Sequence, residues 1–137
     1  MGGCAVFVRS KWPSKRRSDL ESECFETVCV EICPEKAKNT IFAVMYKPPS
    51  MNQEKFISGL EQEFLAKLDD EMVKDLIIMG DFNADVIALK PWKYTRKLMQ
   101  TTRLHDLSEL VKEPTRVTEF TSTAIDLVFV NNIHRIV

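Results

Sequence analysis

The sequence is poor in histidine and lacks paired cysteines. It has two histidines, His105 and His134, which lie far apart, and its four cysteines, Cys4, Cys24, Cys29 and Cys33, form no Cys-x-x-Cys pair. That spacing argues against a structural zinc site and for reduced, packed thiols in an intracellular protein. If residues 25–32 form a strand, Cys24 and Cys29 fall on opposite faces of it. Long apolar runs are missing too, since LIIM and LVFV are far too short to span a bilayer. The opening MGGCAVFV is interrupted by Arg9, unlike a secretory signal, and Val6 stands where a myristoylation signal carries Ser or Thr. No membrane partner is expected, and the expected location is nuclear or cytoplasmic rather than secreted. A net charge of −1 provides no global attraction for polyanions, so any such binding requires a local patch. The sequence shows no repeat, low-complexity tract or domain linker.

What remains is the material of one soluble domain: 137 residues, 45% hydrophobic and 28% charged. CAVFV is β-branched and aromatic and reads as an opening strand. RSKWPSKRR, residues 9–17, places five cations around Trp12 and Pro13 and reads as a loop. FETVCVEI alternates as a strand, with Val28, Val30 and Ile32 on one face. TIFAVMY at 40–46 is the next strand, after which KPPS breaks the regular structure and Ser50 with Gln53 fits a capping box. Phe56, Ile57, Leu60, Phe64, Leu65 and Leu68 then fall at helical spacing as far as about Asp69. Gly59 weakens that helix by up to about 1 kcal/mol. DLIIM follows as a strand, so strand, helix and strand fit a crossover unit with its strands parallel. Pro91 opens a second helix running through Leu104, and AIDLVFV at 124–130 is the last clear strand. The expected architecture is mixed α/β, with roughly five strands and two main helices.

Two stretches invite a chemical reading. In RSKWPSKRR, Trp12 is suited to stacking on a base while Lys15, Arg16 and Arg17 neutralise phosphates; the plainer reading is a solvated loop. In LIIMGDFNADV, an apolar run delivers Asp81 and Asn83 just beyond Gly80. In extended backbone, positions two apart leave the same face. An Asp there can hold a divalent cation or take a proton from water, and an Asn can donate to a phosphate oxygen without adding a second negative charge. Gly, Asp and Asn also simply end strands. Asp126, however, lies within AIDLVFV, where an unpartnered carboxylate costs several kcal/mol, so a specific polar partner is expected. Tyr46 ends another apolar strand. Three strand ends thus carry a phenol, an Asp with an Asn, and an Asp, and sites in open α/β sheets gather at such ends.

The ordered set VMYKPPS, IIMGDFNAD and EPTRVTEFTSTAIDLVFVN resembles the endonuclease/exonuclease/phosphatase family. It is most similar to the apurinic-type endonuclease domain of non-LTR retrotransposons, and GGCAVFVRSKW followed by ETVCVEI extends the likeness over nearly the whole chain. The resemblance implies a DNase I-like four-layer αββα sandwich of which residues 1–137 form a single, incomplete domain with a mixed β-sheet. It further implies Mg²⁺- or Mn²⁺-dependent hydrolysis of a DNA phosphodiester, with DNA as partner and a reverse transcriptase domain in the longer protein. By position, Asp81 is the catalytic Asp near the attacking water and metal. Asn83 contacts the scissile phosphate and helps order the metal, and Tyr46 is the phosphate-contacting tyrosine. Asp126 orients the catalytic histidine, and Arg116 touches the DNA backbone.

The sequence also departs from the family pattern. The family's Asn and metal-binding Glu precede the Gly-Gly, and its Ser-Asp-His follows the AIDLVFV-like strand; neither is present in residues 1–137, and neither histidine lies in such a motif. The resemblance therefore implies a domain of impaired activity, with an apolar sheet face left partly bare and open to self-association. The rival reading is a non-catalytic remnant or nucleic-acid-binding module of the same fold. A phosphoinositide or nucleotide phosphatase is a third, which PTRVT disfavours because it is the part most like the retrotransposon nucleases.

Overall fold

The computed structural model describes residues 3–68 and 75–135. Its scaffold is a six-stranded sheet of β1 (Ser14–Arg16), β2 (Glu26–Ile32), β3 (Thr40–Tyr46), β4 (Asp75–Asp81), β8 (Asp126–Val130) and β5 (Ser108–Glu109), in that spatial order. β3 and β4 run parallel, and every other neighbouring pair is antiparallel. A separate hairpin pairs β6 (Arg116–Val117) with β7 (Ser122–Thr123). Between β3 and β4 lie α1 (Gln53–Ser58), a π-helical stretch (Gly59–Leu65) and a further turn, α2 (Ala66–Leu68); the helix end expected at about Asp69 lies outside the described residues. The second main helix, α3 (Lys93–Leu104), follows β4. The fold is thus mixed α/β with a mixed sheet. Among the described residues no helix is long and apolar enough to cross a membrane.

Alternation in the strands decides which face each side chain takes. Cys29, Ile41, Ala43, Met45, Leu76, Ile78, Leu127 and Phe129 are buried on the face that the helices cover with Phe56, Leu60, Phe64 and Leu98. Rings continue through this core from Phe25 to Phe56, Phe82 and Phe129, with centroids 4.6–5.8 Å apart. Burial pushes the Cys29 thiol up to about 12, so it packs as a neutral apolar group. On the opposite face, Val28, Val44, Met79 and Val128 form one row across the sheet and stay only partly buried. Part of the next row, Val30 and Phe42, lines a groove of about 420 Å³ with Phe7, Val8 and Trp12 of the N-terminal segment.

Several boundaries depart from the sequence expectations. CAVFV does not form a strand, and Phe7 is almost fully exposed. The edge of β2 is taken instead by Ser14–Arg16, from within the stretch expected to be a loop. A short, cationic edge strand of this kind also discourages pairing with further strands. The cap of α1 is Asn52 rather than Ser50, its side chain accepting from the Lys55 amide at 2.9 Å. Gly59 has a packing reason, since a Cβ there would lie 3.0 Å from the Phe25 ring.

Three of the five cations in the basic stretch are paired with carboxylates. Arg16 makes two 2.9 Å hydrogen bonds to Glu21. Arg17 is buried and donates to Asp19 at 2.9 and 2.8 Å and to Glu31 at 2.8 Å, while Lys15 pairs with Glu31 at 3.3 Å. Burial raises the Glu31 pKa, but hydrogen bonds from Arg17, Asn39 and Lys15 outweigh it and hold the carboxyl below the usual glutamate value of 4.5. Because the folded-state value is the lower one, this stabilisation is fully present above about 4.5 and is lost as pH falls through the folded value. Urea denaturation between neutral pH and about pH 3 is expected to show falling stability in this window, with a shallower fall for Glu31→Gln. Parallel profiles for the two proteins would show that the cluster does not contribute.

Candidate active site at the strand ends

Each strand delivers one polar side chain to a common line. Tyr46 ends β3, Asp81 ends β4 and Asp126 opens β8, and the register pairs Tyr46 with Asp81 and Asp81 with Asp126. Glu26, at the start of β2, extends the row opposite Tyr46. Four strands separated by as many as 100 residues of sequence therefore present a Glu, a Tyr and two Asp residues side by side at one sheet edge. Gly80 makes the row possible. It pairs with Met45 at a φ of 150°, and a Cβ there would lie 1.8 Å from the Met45 carbonyl oxygen. Only glycine allows β3 and β4 to approach so closely one residue before Asp81.

Asn83 reaches the site in a different way from the one its spacing suggested. The chain leaves extended geometry after Asp81, and Asn83 has a φ of 48°, in the left-handed region that Asn tolerates. Its amide donates to Asp81 Oδ1 at 3.0 Å, closing a tight Asx turn, and its side-chain Nδ2 donates to the Lys47 carbonyl at 2.7 Å. Lys47 in turn donates its backbone N–H to the Asp81 carbonyl at 2.9 Å. The residue after Tyr46 thus holds both Asp81 and Asn83 through its main chain.

A second layer locks this turn. The Tyr94 hydroxyl of α3 donates to the buried Phe82 carbonyl at 2.8 Å, and the Lys47 ammonium lies 5.0 Å from the Tyr94 ring centroid. Burial pushes the Tyr94 phenol well above its ordinary range, helped by the Asp81 charge, so it remains a neutral donor. Burial lowers the Lys47 pKa, with Asp81 opposing the shift. Asp85 Oδ1 accepts from the Ala124 amide at 3.0 Å, and Thr115 Oγ1 accepts from Ile125 and Asp126 at 3.3 and 3.2 Å, fixing the entry to β8. Lys47, Asp85, Tyr94 and Thr115 were not expected from the sequence. Asp85 carried a signal, because it continues the two-residue spacing of Asp81 and Asn83; the hydroxyls of Tyr94 and Thr115 carried none.

Two sequence expectations change here. Asp126 opens β8 instead of lying within it, and its carboxylate is half-exposed with no hydrogen bond or ion pair among the described residues. Solvent at the sheet edge removes the desolvation cost that called for a partner. Neither histidine stands beside it. His105 caps the end of α3, 3.6 Å from Glu61, and His134 follows the far end of β8. Arg116, on the β6–β7 hairpin, donates to Asp81 Oδ2 at 2.9 Å and so sits at the centre of the row. Trp12, Lys15, Arg16 and Arg17 lie on the β1 side of the sheet, three strands away from β4.

No three-residue His, Cys, Asp or Glu cluster for a metal occurs among the described residues. The donors that are present still suit a hydrated magnesium, which needs only one or two carboxylates and keeps its waters. Asp81 and Asp126 are directly opposed, Asn83 retains its side-chain oxygen as an acceptor, and Asp81 already binds a cation in the form of the Arg116 guanidinium.

A mixed sheet layered with helices and bearing this polar row is DNase I-like in class. The chain belongs to the Endonuclease/Exonuclease/phosphatase family, which matches residues 1–137. It is similar in structure to the endonuclease domain of TRAS1, a telomere-specific non-LTR retrotransposon, at 20% identity with a TM-score of 0.70. That match covers 87% of this chain and 54% of the other. The human Nocturnin catalytic domain with bound sulfate is also similar, at 20% identity and a TM-score of 0.51, over 88% of this chain and 47% of that one. This chain therefore spans about half the length of both structures. No curated protein gives a significant match.

Tyr94→Phe should leave the buried Phe82 carbonyl unpaired at a cost of about 1–3 kcal/mol. Hydrogen exchange at the Asn83 amide is expected to quicken more than exchange along β3. Unchanged exchange at Asn83 would mean that Tyr94 does not hold the turn.

Proposed function

We propose that the strand-end row is a phosphodiester-hydrolysing centre acting on DNA with a divalent cation. The observation that carries this reading is the single register line of Tyr46, Asp81 and Asp126 with Asn83 folded against it. Asp81 would hold the cation and accept a proton from the attacking water, and Asn83 with Asp126 would complete its oxygen ligands. The cation would supply Lewis-acid stabilisation of the phosphate and lower the pKa of bound water. The Tyr46 hydroxyl is a donor for a phosphate oxygen. Arg116, already at Asp81, is placed to transfer its charge to the incoming phosphate. With no histidine at Asp126, residues 1–137 lack a second proton-transfer group beside Asp81, a kind of help typically worth about 10²–10⁴-fold, and their own activity is accordingly weak. A reverse transcriptase domain in the longer protein fits the same reading.

Mn²⁺ titration followed by NMR tests the metal site directly. Selective broadening of Asp81, Asn83 and Asp126 signals is expected, and Asp81→Ala should abolish it; uniform or absent broadening would overturn the site. In a supercoiled-plasmid assay, residues 1–137 should nick no faster than the Asp81→Ala, Asn83→Ala variant. Rapid nicking that those substitutions abolish would show that the acid–base help is not needed.

The row of Val28, Val44, Met79 and Val128 leaves an uncharged apolar strip on the face away from the helices. We infer that in isolation this strip pairs with the same strip of a second copy, as a self-complementary two-fold contact. Sedimentation velocity should give a concentration-dependent dimer that Val44→Glu disperses; a monomer at all concentrations would refute it.

A further inference from the structure

A second group of cations lies along α3, away from the basic stretch near the N-terminus in which Lys15, Arg16 and Arg17 are paired with carboxylates. Residues 86–104 contain Lys90, Lys93, Arg96, Lys97 and Arg103 and no Asp or Glu, within a chain of net charge −1. All five are exposed. None makes an ion pair among the described residues, in contrast to Lys15, Arg16 and Arg17. Helical geometry explains why four of them share a side. Tyr94, Thr95, Leu98, Thr101 and Thr102 face the core, which turns Lys93, Arg96, Lys97 and Arg103 outward. The helix is about 18 Å long, enough to run beside several phosphates at roughly 3.4 Å of axis per nucleotide.

Trp92 ties this face to the strand-end site. It caps α3, is 77% exposed, and stands between Lys90 and Lys93. A large indole left in water forgoes the gain of apolar burial. Trp92 also lines a depression of about 170 Å³ together with Asn83, Asp85 and Tyr94, so the exposed ring borders the same turn that holds Asn83. An aromatic flanked by unpaired cations is the arrangement that binds a nucleic-acid strand, with the ring stacking on a base and the cations releasing counterions from phosphates.

We propose that Trp92 and the outer face of α3 form a nucleic-acid contact surface that continues the strand-end site. A strand leaving the site passes over the Trp92 indole and along Lys90, Lys93, Arg96 and Lys97. The choice of nucleic acid over an anionic membrane rests on the shared depression with Asn83 and on the reading of that site as a DNA phosphodiester centre.

The test uses the single-tryptophan protein Trp12→Phe, since the chain has two tryptophans. Titration with a short single-stranded oligonucleotide should quench Trp92 fluorescence. Fluorescence anisotropy across a salt series should then compare this protein with a Lys90→Gln, Lys93→Gln, Arg96→Gln, Lys97→Gln variant, whose fold is checked by circular dichroism. The logarithmic salt slope should fall by roughly 0.7 for each phosphate no longer neutralised, and affinity at moderate salt by about tenfold or more. Replacing Arg9 and Lys11 by Gln should leave both unchanged. An equal slope in the two proteins, unquenched Trp92, or binding to phosphatidylserine vesicles in place of the oligonucleotide would each overturn the proposal. Loss of Mn²⁺ broadening at Asp81 with oligonucleotide binding intact would remove the catalytic reading and leave this surface standing.

Discussion

The parallel ladder between β3 and β4 is the constraint on which the site depends. Seven residue pairs fix its register, from Thr40 with Asp75 to Tyr46 with Asp81. A slip by one residue would turn Ile41, Met45, Leu76 and Ile78 out of the core and carry Tyr46 and Asp81 to the wrong face. Gly80 seals the register at its last step, because its lack of a side chain lets the backbone of Met45 close in. Placement of the two polar side chains is therefore driven by apolar burial one to five residues earlier. The strand-end turn adds only short-range hydrogen bonds from Lys47 and Asn83, which would have nothing to hold without the ladder beneath them.

Charge is distributed with the same economy. Where cations sit against the sheet edge, carboxylates meet them: Glu21 takes Arg16, and Glu31 with Asp19 takes the buried Arg17. Such a pair must be complete, since a lone buried guanidinium would cost several kcal/mol. Where cations sit on the outer face of α3, none is paired with a carboxylate among the described residues, and all are exposed. Basic residues near an exposed tryptophan thus occur twice in the chain: around Trp12 three of five are paired with carboxylates, whereas around Trp92 none is among the described residues. Arg116 is the intermediate case, paired with Asp81 yet 57% exposed at its side chain, so the pair is held by a modest energy that a stronger ligand for either partner can replace.

The helices and the sheet make unequal contributions to the two faces. The helical face holds the phenylalanine series and is closed, whereas the opposite face pairs valine and methionine rows with solvent and the N-terminal segment. Structures of similar fold are longer, this chain covering 54% and 47% of the two described, and the sheet face that carries Tyr46, Asp81 and Asp126 is the one with the least cover here. Depth of burial therefore falls off toward the very row on which chemistry is proposed, which keeps Asp126 hydrated and its carboxylate free.

Elements with strong periodicity were legible from the residues alone. TIFAVMY is a strand at its expected bounds, FETVCVEI begins one residue and AIDLVFV two residues later than expected, DLIIM is a central strand, and the second helix starts at Lys93 rather than Pro91. Period-two and helical patterns are local properties, readable without a fold. Tyr46, Asp81, Asn83 and Asp126 were legible as well, because polar residues at the ends of apolar runs stand out. What those residues touch emerged only with the folded chain. CAVFV has strand propensity yet forms no strand, and the edge of β2 is paired by Ser14–Arg16. Asp126 proved to begin its strand, which turned an expected buried pair into a solvated carboxylate. Arg17 disappeared into the protein while the cations of α3 stayed outside, a difference set by which acidic side chains the fold brings near. Propensity travels along the chain, but partnership between residues far apart exists only once the sheet has closed.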